Sequence, residues 1–175
     1  MGYEILEIFK NRRSIRKFKD EKIDKSIVDI LLKSALLAPS SKNKKPVEFI
    51  VVEDKETIKK LTTCKRKGTH GLETAPCAIV VIADSELSDV WVEDASIAAI
   101  SIQLAAENLG LSSFWIQMRK RQSNRKNSED EVREVLNIPQ KYGVLSIIAI
   151  GYKNEIKEPH DVESLDFSKI HYEVY

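Results

Sequence analysis

Residues 94–111 have the sequence DASIAAISIQLAAENLGL, and this stretch decides the fold of the chain. Its apolar residues recur at helical spacing and cover more than half of the circumference of a helix predicted over 94–108. They are Ala95, Ala98, Ala99, Ile102, Ala105, Ala106 and Leu109. A helix with this pattern is expected to be buried on nearly all sides. Gly110 then supplies the left-handed residue that commonly ends a helix.

Shorter segments alternate between helical and extended patterns on both sides of this helix. Helices are predicted over 3–10, from Asp24 to Pro39, from Asp54 to about Thr62, and from a capping box of Ser128 and Glu131 to about Asn137. Strands are predicted over 47–52, 78–83, 113–117 and 144–150. The resulting order is helix, helix, strand, helix, strand, long helix, strand, helix, strand and tail. This order is typical of a layered α/β or α+β fold.

Length and composition point to a single folded domain over residues 1–175. Hydrophobic residues make up 42% and charged residues 31% of the 175 residues, which argues against disorder. The net charge of +1 gives no general attraction for nucleic acid. No apolar run has the length that crosses a bilayer, and residues 1–10 lack the apolar core of a signal peptide. We therefore expect a cytoplasmic protein without a membrane or nucleic-acid partner.

Metal chemistry and disulfide bonding are not indicated. The histidines, His70, His160 and His171, lack metal-ligand spacing. Cys64 and Cys77 form no CxxC pair, and two cysteines are too few for a disulfide scaffold. We expect no metal site and structural roles for both thiols.

Two polar segments are the candidates for ligand binding. Arg12-Arg13-Ser14-Ile15-Arg16 places three guanidinium groups and a hydroxyl within five residues, and the arginine fork matches phosphate geometry. Ala38-Pro39-Ser40-Ser41-Lys42-Asn43 lies where a helix ends before a strand, a common position for ligand-binding loops. Taken alone, the first segment is also compatible with a solvated basic turn, and the second with an ordinary helix terminator.

Together and in this order, the segments resemble the nitroreductase family of flavoproteins. The resemblance continues through the alanine-rich helix ending in AAENLGL, the following segment 112–117, the sequence Leu136-Asn137-Ile138-Pro139 and the final Ile150-Gly151-Tyr152. It implies an α+β fold with a central, mostly antiparallel sheet flanked by helices, in an intertwined homodimer. The family binds FMN between the two chains.

The resemblance also implies a set of cofactor-binding residues. Arg12, Arg13, Ser14 and Arg16 are expected to hold the FMN phosphate and ribityl chain. Pro39, Ser40, Ser41, Asn43 and Lys45 are expected to approach the flavin from the other subunit, and Trp115, Ile116 and Gln117 to line its ring. No nucleophile-and-base set is present, so no catalytic side chain is predicted. A flavin enzyme needs none, because the cofactor carries the redox chemistry.

The implied activity is reduction of nitro compounds, quinones or a similar small aromatic acceptor by NADH or NADPH, in ping-pong electron transfer through FMN. The alternatives are a protein of the same fold with other flavin chemistry, such as reductive dehalogenation or flavin breakdown, and a non-catalytic flavin sensor or store. The fold alone does not separate these functions.

Four features depart from the family pattern or extend it. Lys45 stands where a glutamine is frequent. Residues 159–164, PHDVES, are acidic where the family often has a phosphate-binding cation, leaving His160 as the only substitute there. The basic loop 119–126 is either solvated or attracts an anionic substrate such as NADPH. The apolar tail within 152–175 is predicted to wrap a partner subunit, with packing on its own domain as the alternative.

Overall fold

The computed structural model describes residues 4–175, and the predicted order of helices and strands is confirmed. The helices are α1 (Glu4–Asn11), α2 (Lys25–Leu36), α3 (Lys55–Thr63), α4 (Trp91–Asn108) and α5 (Ser128–Leu136). The strands are β1 (Val47–Val52), β2 (Cys77–Asp84), β3 (Ser112–Gln117) and β4 (Tyr142–Gly151). Tyr3, the predicted first residue of the first helix, lies outside the described residues.

The four strands form one sheet in the order β1-β2-β4-β3, and each neighbouring pair is antiparallel. This decides between the two fold classes in favour of α+β. The central strands β2 and β4 are buried along almost their whole length, as their continuous apolar sequences predict. The shorter strands β1 and β3 occupy the two edges of the sheet.

Hydrophobic layers cover both faces of the sheet. On one face, side chains of α3 and α5 pack against alternate residues of the strands, including Val80 and Ile147. On the other face, α2 and α4 pack against the intervening residues, including Ile79 and Ile148. This alternation follows from the period of two along a strand.

Helix α4 is less enclosed than its sequence predicts. It begins at Trp91, three residues before the predicted start, and Gly110 takes the expected left-handed conformation with φ of +75°. Its inner face is buried, but Ile97 remains 39% exposed, and Ile100 and Leu104 are only partly covered. One apolar stripe of the helix therefore faces away from its own chain.

The predicted capping box of α5 is wrong by one residue. Asn127 is the N-cap, and its side-chain oxygen accepts the Asp130 backbone N–H at 2.8 Å. Ser128 is the first helical residue, and the Glu131 side chain turns inward to the Ser123 hydroxyl at 2.7 Å. Asparagine caps a helix as well as serine does, so the sequence offered two adjacent starts.

The tail divides into two parts. Residues 152–160 run antiparallel to residues 10–19 of the same chain, through Lys19 N–H to Tyr152 oxygen and Asn154 N–H to Lys17 oxygen, each 2.8 Å. The apolar and aromatic side chains beyond this stretch are exposed: Leu165, Phe167, Ile170, Tyr172, Val174 and Tyr175. The first part of the tail therefore pairs with its own chain, and wrapping of a partner by the rest stays a prediction.

Within residues 4–175, no helix has both the length and the apolar character needed to cross a membrane.

Candidate functional site

The arginine-rich segment lies at the start of edge strand β3. Ser14 forms a parallel bridge with Ser113, and the Ile15 N–H donates to the Ser113 carbonyl at 3.1 Å. The Ile15 side chain is only 2% exposed and anchors the segment in the core. Because neighbouring side chains in an extended segment point to opposite sides, burial of Ile15 leaves Ser14 and Arg16 on the outer side.

Each guanidinium group of this segment has a different neighbour. Arg12 lies near Glu107, whose pKa is raised by burial and lowered in part by the charges of Lys153 and Arg12. Arg13 donates to the Glu158 carbonyl. Arg16 stacks over the Phe114 ring, with its central carbon 4.3 Å from the ring centre. Within residues 4–175, none of the three forms an ion pair with a carboxylate.

The tail brings a further cation to this segment. The Lys157 ammonium donates to the Ser14 carbonyl, and its side chain is mostly covered. The neighbouring Glu155 carboxylate accepts the backbone N–H groups of Arg16 and Lys17, and these bonds hold the pKa of Glu155 below its ordinary value. Sequence reasoning missed Lys157 because it lies before the acidic stretch 159–164. No local signal indicates it, because its position depends on the tail folding back along residues 10–19.

The exposed edge of β3 continues from this basic segment. Along a strand, the backbone N–H and C=O groups of successive residues point to alternate sides. The backbone groups of Trp115 and Gln117 therefore point to the same side as those of Ser113, away from β4. The Trp115 indole N–H donates to the Gln117 side-chain oxygen at 2.9 Å, and the Gln117 amide donates to the Arg119 carbonyl at 3.2 Å. These bonds fix an aromatic ring and an amide beside the open edge.

The structure does not bring the Ile116 side chain to this edge. Ile116 is 1% exposed and packs in the core on the face that holds Phe114. The alternation along β3 puts Trp115 and Gln117 on the opposite face. The Ile116 side chain thus lies apart from Trp115 and Gln117, and its role in lining a ring stays a prediction.

The second predicted segment forms a pinned loop beside the other edge strand, β1. Lys42, Asn43 and Lys45 have φ of +52°, +54° and +50°, a left-handed conformation that is costly for lysine. The Ser40 hydroxyl accepts the Lys45 N–H at 2.9 Å. Pro39, Ser40 and Lys45 line a cavity of about 110 Å³. Strained conformations of this kind concentrate at functional sites.

Asp94 holds this loop in place. Its buried carboxylate accepts the Ser41 N–H at 2.8 Å and the Ser88 hydroxyl at 3.1 Å. Sequence reasoning assigned Asp94 only to the start of a helix. An acidic residue in the first turn of an otherwise apolar helix was the available signal.

One chain does not assemble all the predicted site residues in one place. The loop with Ser40 adjoins Asp94 in the first turn of α4, whereas Arg12 lies near Glu107 in its last turn. Thirteen residues of helix separate these points by about 20 Å. The two groups also lie beside opposite edges of the sheet. The predicted site residues of one chain therefore form two separate groups.

The remaining polar segments have structural contacts. The Gly71 backbone packs on the Phe114 ring so closely that an added Cβ would lie 2.6 Å from it. Arg125 and Lys126 of the basic loop pair with Glu131 and Glu134. Among residues 4–175, no group of three or more His, Cys, Asp or Glu side chains is arranged to hold a metal ion.

Both cysteines are buried free thiols. Burial raises the pKa of Cys64 and of Cys77 to about 12, so neither is a thiolate at neutral pH. This agrees with the structural roles expected for them.

Comparison with known proteins identifies the family. The family model described as the nitroreductase family matches residues 9–70 and 63–152, which include the arginine segment, the pinned loop, α4 and β3. The chain belongs to the nitroreductase family. The predicted nitroreductase-like α+β fold is thereby confirmed.

Individual relatives agree with this assignment. A solved FMN-dependent nitroreductase from Clostridium difficile R20291 is 48% identical, with a TM-score of 0.95 over 97% of this chain and 99% of that one. An Archaeoglobus fulgidus protein with the provisional name NADH dehydrogenase/NAD(P)H nitroreductase is 38% identical over 91% of each chain. An FMN reductase [NAD(P)H] of Bacillus subtilis is 27% identical over 85% of this chain and 66% of its own length.

Proposed function

We propose that this nitroreductase-family chain is an FMN-dependent oxidoreductase that takes electrons from NADH or NADPH and reduces a small aromatic acceptor. The observation that carries the proposal is the group of three guanidiniums and one ammonium beside an open strand edge. The three guanidiniums form no ion pair within residues 4–175, whereas the Lys157 ammonium lies 3.9 Å from the Glu155 carboxylate. Guanidiniums without an ion pair favour an external anion, and the relatives named for FMN or NAD(P)H indicate which anion.

The donor set fits FMN. Arg12, Arg13, Ser14, Arg16 and Lys157 would hold the phosphate and the polar chain attached to it. Trp115 and Gln117 would flank the ring along β3, where a flat aromatic group meets an indole and an amide fixed by mutual hydrogen bonds. FMN, when bound, supplies the transfer of electrons from the nicotinamide to the acceptor.

The protein side chains position and shield the cofactor and do not themselves react. Stacking on Phe114 and the bond from Arg13 to the Glu158 carbonyl orient two guanidiniums before any ligand arrives. Such preorganisation lowers the entropy cost of binding. The Glu155 carboxylate accepts the backbone N–H groups of Arg16 and Lys17, and these bonds fix the segment that carries Arg16. We assign no side chain a role as nucleophile or general base.

We infer that the complete site forms between two copies of the chain. The pinned loop and the arginine segment lie at opposite ends of α4. A two-fold axis across α4 would therefore bring the partner's pinned loop to this chain's arginines. That loop carries Pro39, Ser40, Ser41, Asn43 and Lys45 in its fixed conformation. Both copies would then contribute to each of two identical sites.

Exposed apolar surface supports this assembly. Exposed side chains of α1, α2 and α4 form a face that a single chain leaves in solvent: Ile5, Leu6, Phe9, Ile30, Leu36, Leu37 and Ile97. Large exposed apolar patches mark interaction surfaces. We propose that residues 1–175 form one domain and that residues 161–175 lie on the partner subunit, because their aromatic side chains are exposed on their own chain.

The tests are spectroscopic and hydrodynamic. The purified protein should be yellow, with FMN as the released cofactor, and anaerobic addition of NADH or NADPH should bleach it. Parallel lines in initial-velocity plots with a nitro compound or a quinone would support a ping-pong mechanism. A colourless protein that cannot be reconstituted with FMN would refute the assignment of FMN as the cofactor. A monomer in light scattering would refute the shared site.

A further inference from the structure

The arginines that lack an acidic partner fall into two groups. The chain has eight arginines, and two of them, Arg125 and Arg133, form ion pairs with carboxylates. The other six have no such pair within residues 4–175. Arg12, Arg13 and Arg16 lie at the start of β3, and Arg66, Arg119 and Arg121 lie beyond its end.

The second group belongs to a basic surface built from two segments. We define the second basic cluster as Lys65, Arg66, Lys67, Lys120 and Arg121. The Arg66 backbone N–H donates to the Gln122 carbonyl at 2.9 Å, and its guanidinium donates to the Ser123 carbonyl at 3.3 Å. These bonds hold the turn after α3 against the loop after β3, so cations distant in sequence become neighbours.

The charges of this cluster are not neutralised from within the described chain. None of its five members forms an ion pair with a carboxylate among residues 4–175. Burial and the nearby Arg121 charge both lower the pKa of Lys65, which shows that like charges are held close together. A few residues further along the same loop, Arg125 and Lys126 are both paired with carboxylates. The loop therefore has unpaired cations in its first part and paired cations in its second part.

The position of the cluster relates it to the proposed cofactor site. Ser113, beside the first arginine group, and Arg119 are six residues apart, about 20 Å along an extended chain. Trp115 and Gln117 lie between them, and Gln117 is bonded to the Arg119 carbonyl. The Arg119 guanidinium lies over the Trp91 ring, 5.5 Å from its centre. The two cationic groups thus lie at opposite ends of the ring-lining edge.

We propose that the second basic cluster binds the phosphate groups of the nicotinamide dinucleotide that reduces the flavin. The proposal rests on the proposed function, because it takes the edge at Trp115 and Gln117 as the place where the two rings meet. When the nicotinamide of a dinucleotide lies at that edge, the anionic phosphate groups of the dinucleotide lie at a distance from the edge. The first arginine group is committed to the FMN phosphate, which leaves the second cluster as the matching cationic surface.

The experiment compares charge-removing variants on the two segments. Lys120→Gln combined with Arg121→Gln alters the loop after β3, and Lys67→Gln alters the turn after α3. All three side chains are exposed, so the fold should tolerate the changes. Lys126→Gln is the matched control, since it removes the same charge from the same loop at a residue that pairs with Glu134.

Two measurements on the FMN-loaded protein decide the outcome. In titration calorimetry, both test variants should bind NADP⁺ at least about tenfold more weakly than the parent protein, whereas Lys126→Gln should stay within about twofold. In steady-state kinetics, KM for the dinucleotide should rise with kcat and FMN content unchanged. Loss of NADPH affinity alone identifies the 2′-phosphate as the bound group, and equal loss for NADH identifies the pyrophosphate.

Unchanged dinucleotide affinity in both test variants would overturn the proposal, as would an equal effect of Lys126→Gln. Failure of the proposed function has a different signature, because the parent protein would then retain no FMN or resist reduction by both dinucleotides. Parent protein that is yellow and reducible, with variants that bind NADP⁺ normally, would refute only the second cluster.

Discussion

Two arginine-containing regions of this chain have opposite electrostatic states. In the loop and helix over 125–133, Arg125 pairs with the buried Glu131, and Arg133 pairs with Asp130 at 2.6 Å. In the segment 12–16, no guanidinium forms an ion pair with a carboxylate: Arg13 donates to a carbonyl, and Arg16 stacks on an aromatic ring. The nearby Glu155 carboxylate is bonded to backbone N–H groups of the segment. The first region satisfies its own charges and stabilises the fold. The guanidiniums of the second form no internal ion pair, and in the proposed function they bind a ligand. The partner of a cation is therefore more informative than its presence.

The largest effect is expected from removing the unpaired arginines. Arg13→Ala combined with Arg16→Ala should weaken FMN binding by about 100-fold or more, because hydrogen bonds to charged groups contribute roughly 1.5–3 kcal/mol each. Equilibrium dialysis or fluorescence titration of the apoprotein measures the change. The midpoint of thermal unfolding of the apoprotein should fall by only about 2–4 °C, since the Arg13 bond to Glu158 and the Arg16 stacking on Phe114 are lost but no internal ion pair is. Unaltered FMN affinity would remove the phosphate assignment.

The paired region should respond in the reverse way. Glu131→Gln keeps the size of a side chain that is 2% exposed but removes the charge that holds Arg125 and Ser123. We expect a loss of about 2 kcal/mol in the free energy of unfolding, measured by urea denaturation. FMN affinity should stay within about threefold of the parent value. If Glu131→Gln released FMN without destabilising the fold, the distinction between the two regions would be lost.

The sequence predicted more of the fold than of the site. The apolar patterns predicted every helix and strand in order, because α4 has apolar residues at helical spacing and β2 and β4 are short continuous apolar runs. It missed the N-cap of α5, where Asn127 and Ser128 are equivalent caps by residue type. It also missed the outward direction of the apolar stripe with Ile97, since an apolar pattern at helical spacing does not show which stripe its own chain covers.

The site was harder to predict because contacts distant in sequence define it. The residue types made the Arg12–Arg16 segment a candidate, and the resemblance to the family favoured it over a solvated basic turn. Its neighbour Lys157 depends on the tail returning along residues 10–19, which no local pattern indicates. Likewise, nothing local separates Arg121 from Arg125; only the position of Glu131 on α5 does.

Lys157 provides an intermediate test of the comparison, since it is a cation delivered by the tail. Lys157→Ala should weaken FMN binding by about tenfold, close to 1.4 kcal/mol, if its ammonium completes the phosphate site. His160→Ala is the matched control from the same tail, because its side chain is exposed. Fluorescence titration of both apoproteins measures the difference. A larger loss from His160→Ala would transfer the role to the histidine.

The smallest expected effect is the pH dependence of Glu155. Its folded-state pKa lies below the ordinary 4.5 because its carboxylate accepts the Arg16 and Lys17 N–H groups, helped by the Lys157 charge. A lowered pKa means that its contribution to stability is present above pH 4.5 and is lost as the pH falls below that value. Glu155→Gln should therefore be less stable than the parent protein at neutral pH, by less than about 1 kcal/mol.

Urea denaturation of the two apoproteins at neutral pH and at a pH well below 4.5 provides the measurement. The difference in unfolding free energy should shrink in acid, because protonation makes Glu155 resemble glutamine. A gap that persisted in acid would mean that the carboxylate charge does not hold the Arg16 turn. The unpaired region would then owe its order to Ile15 and the stacking on Phe114, and the positions of its arginines would not depend on the protonation of the tail.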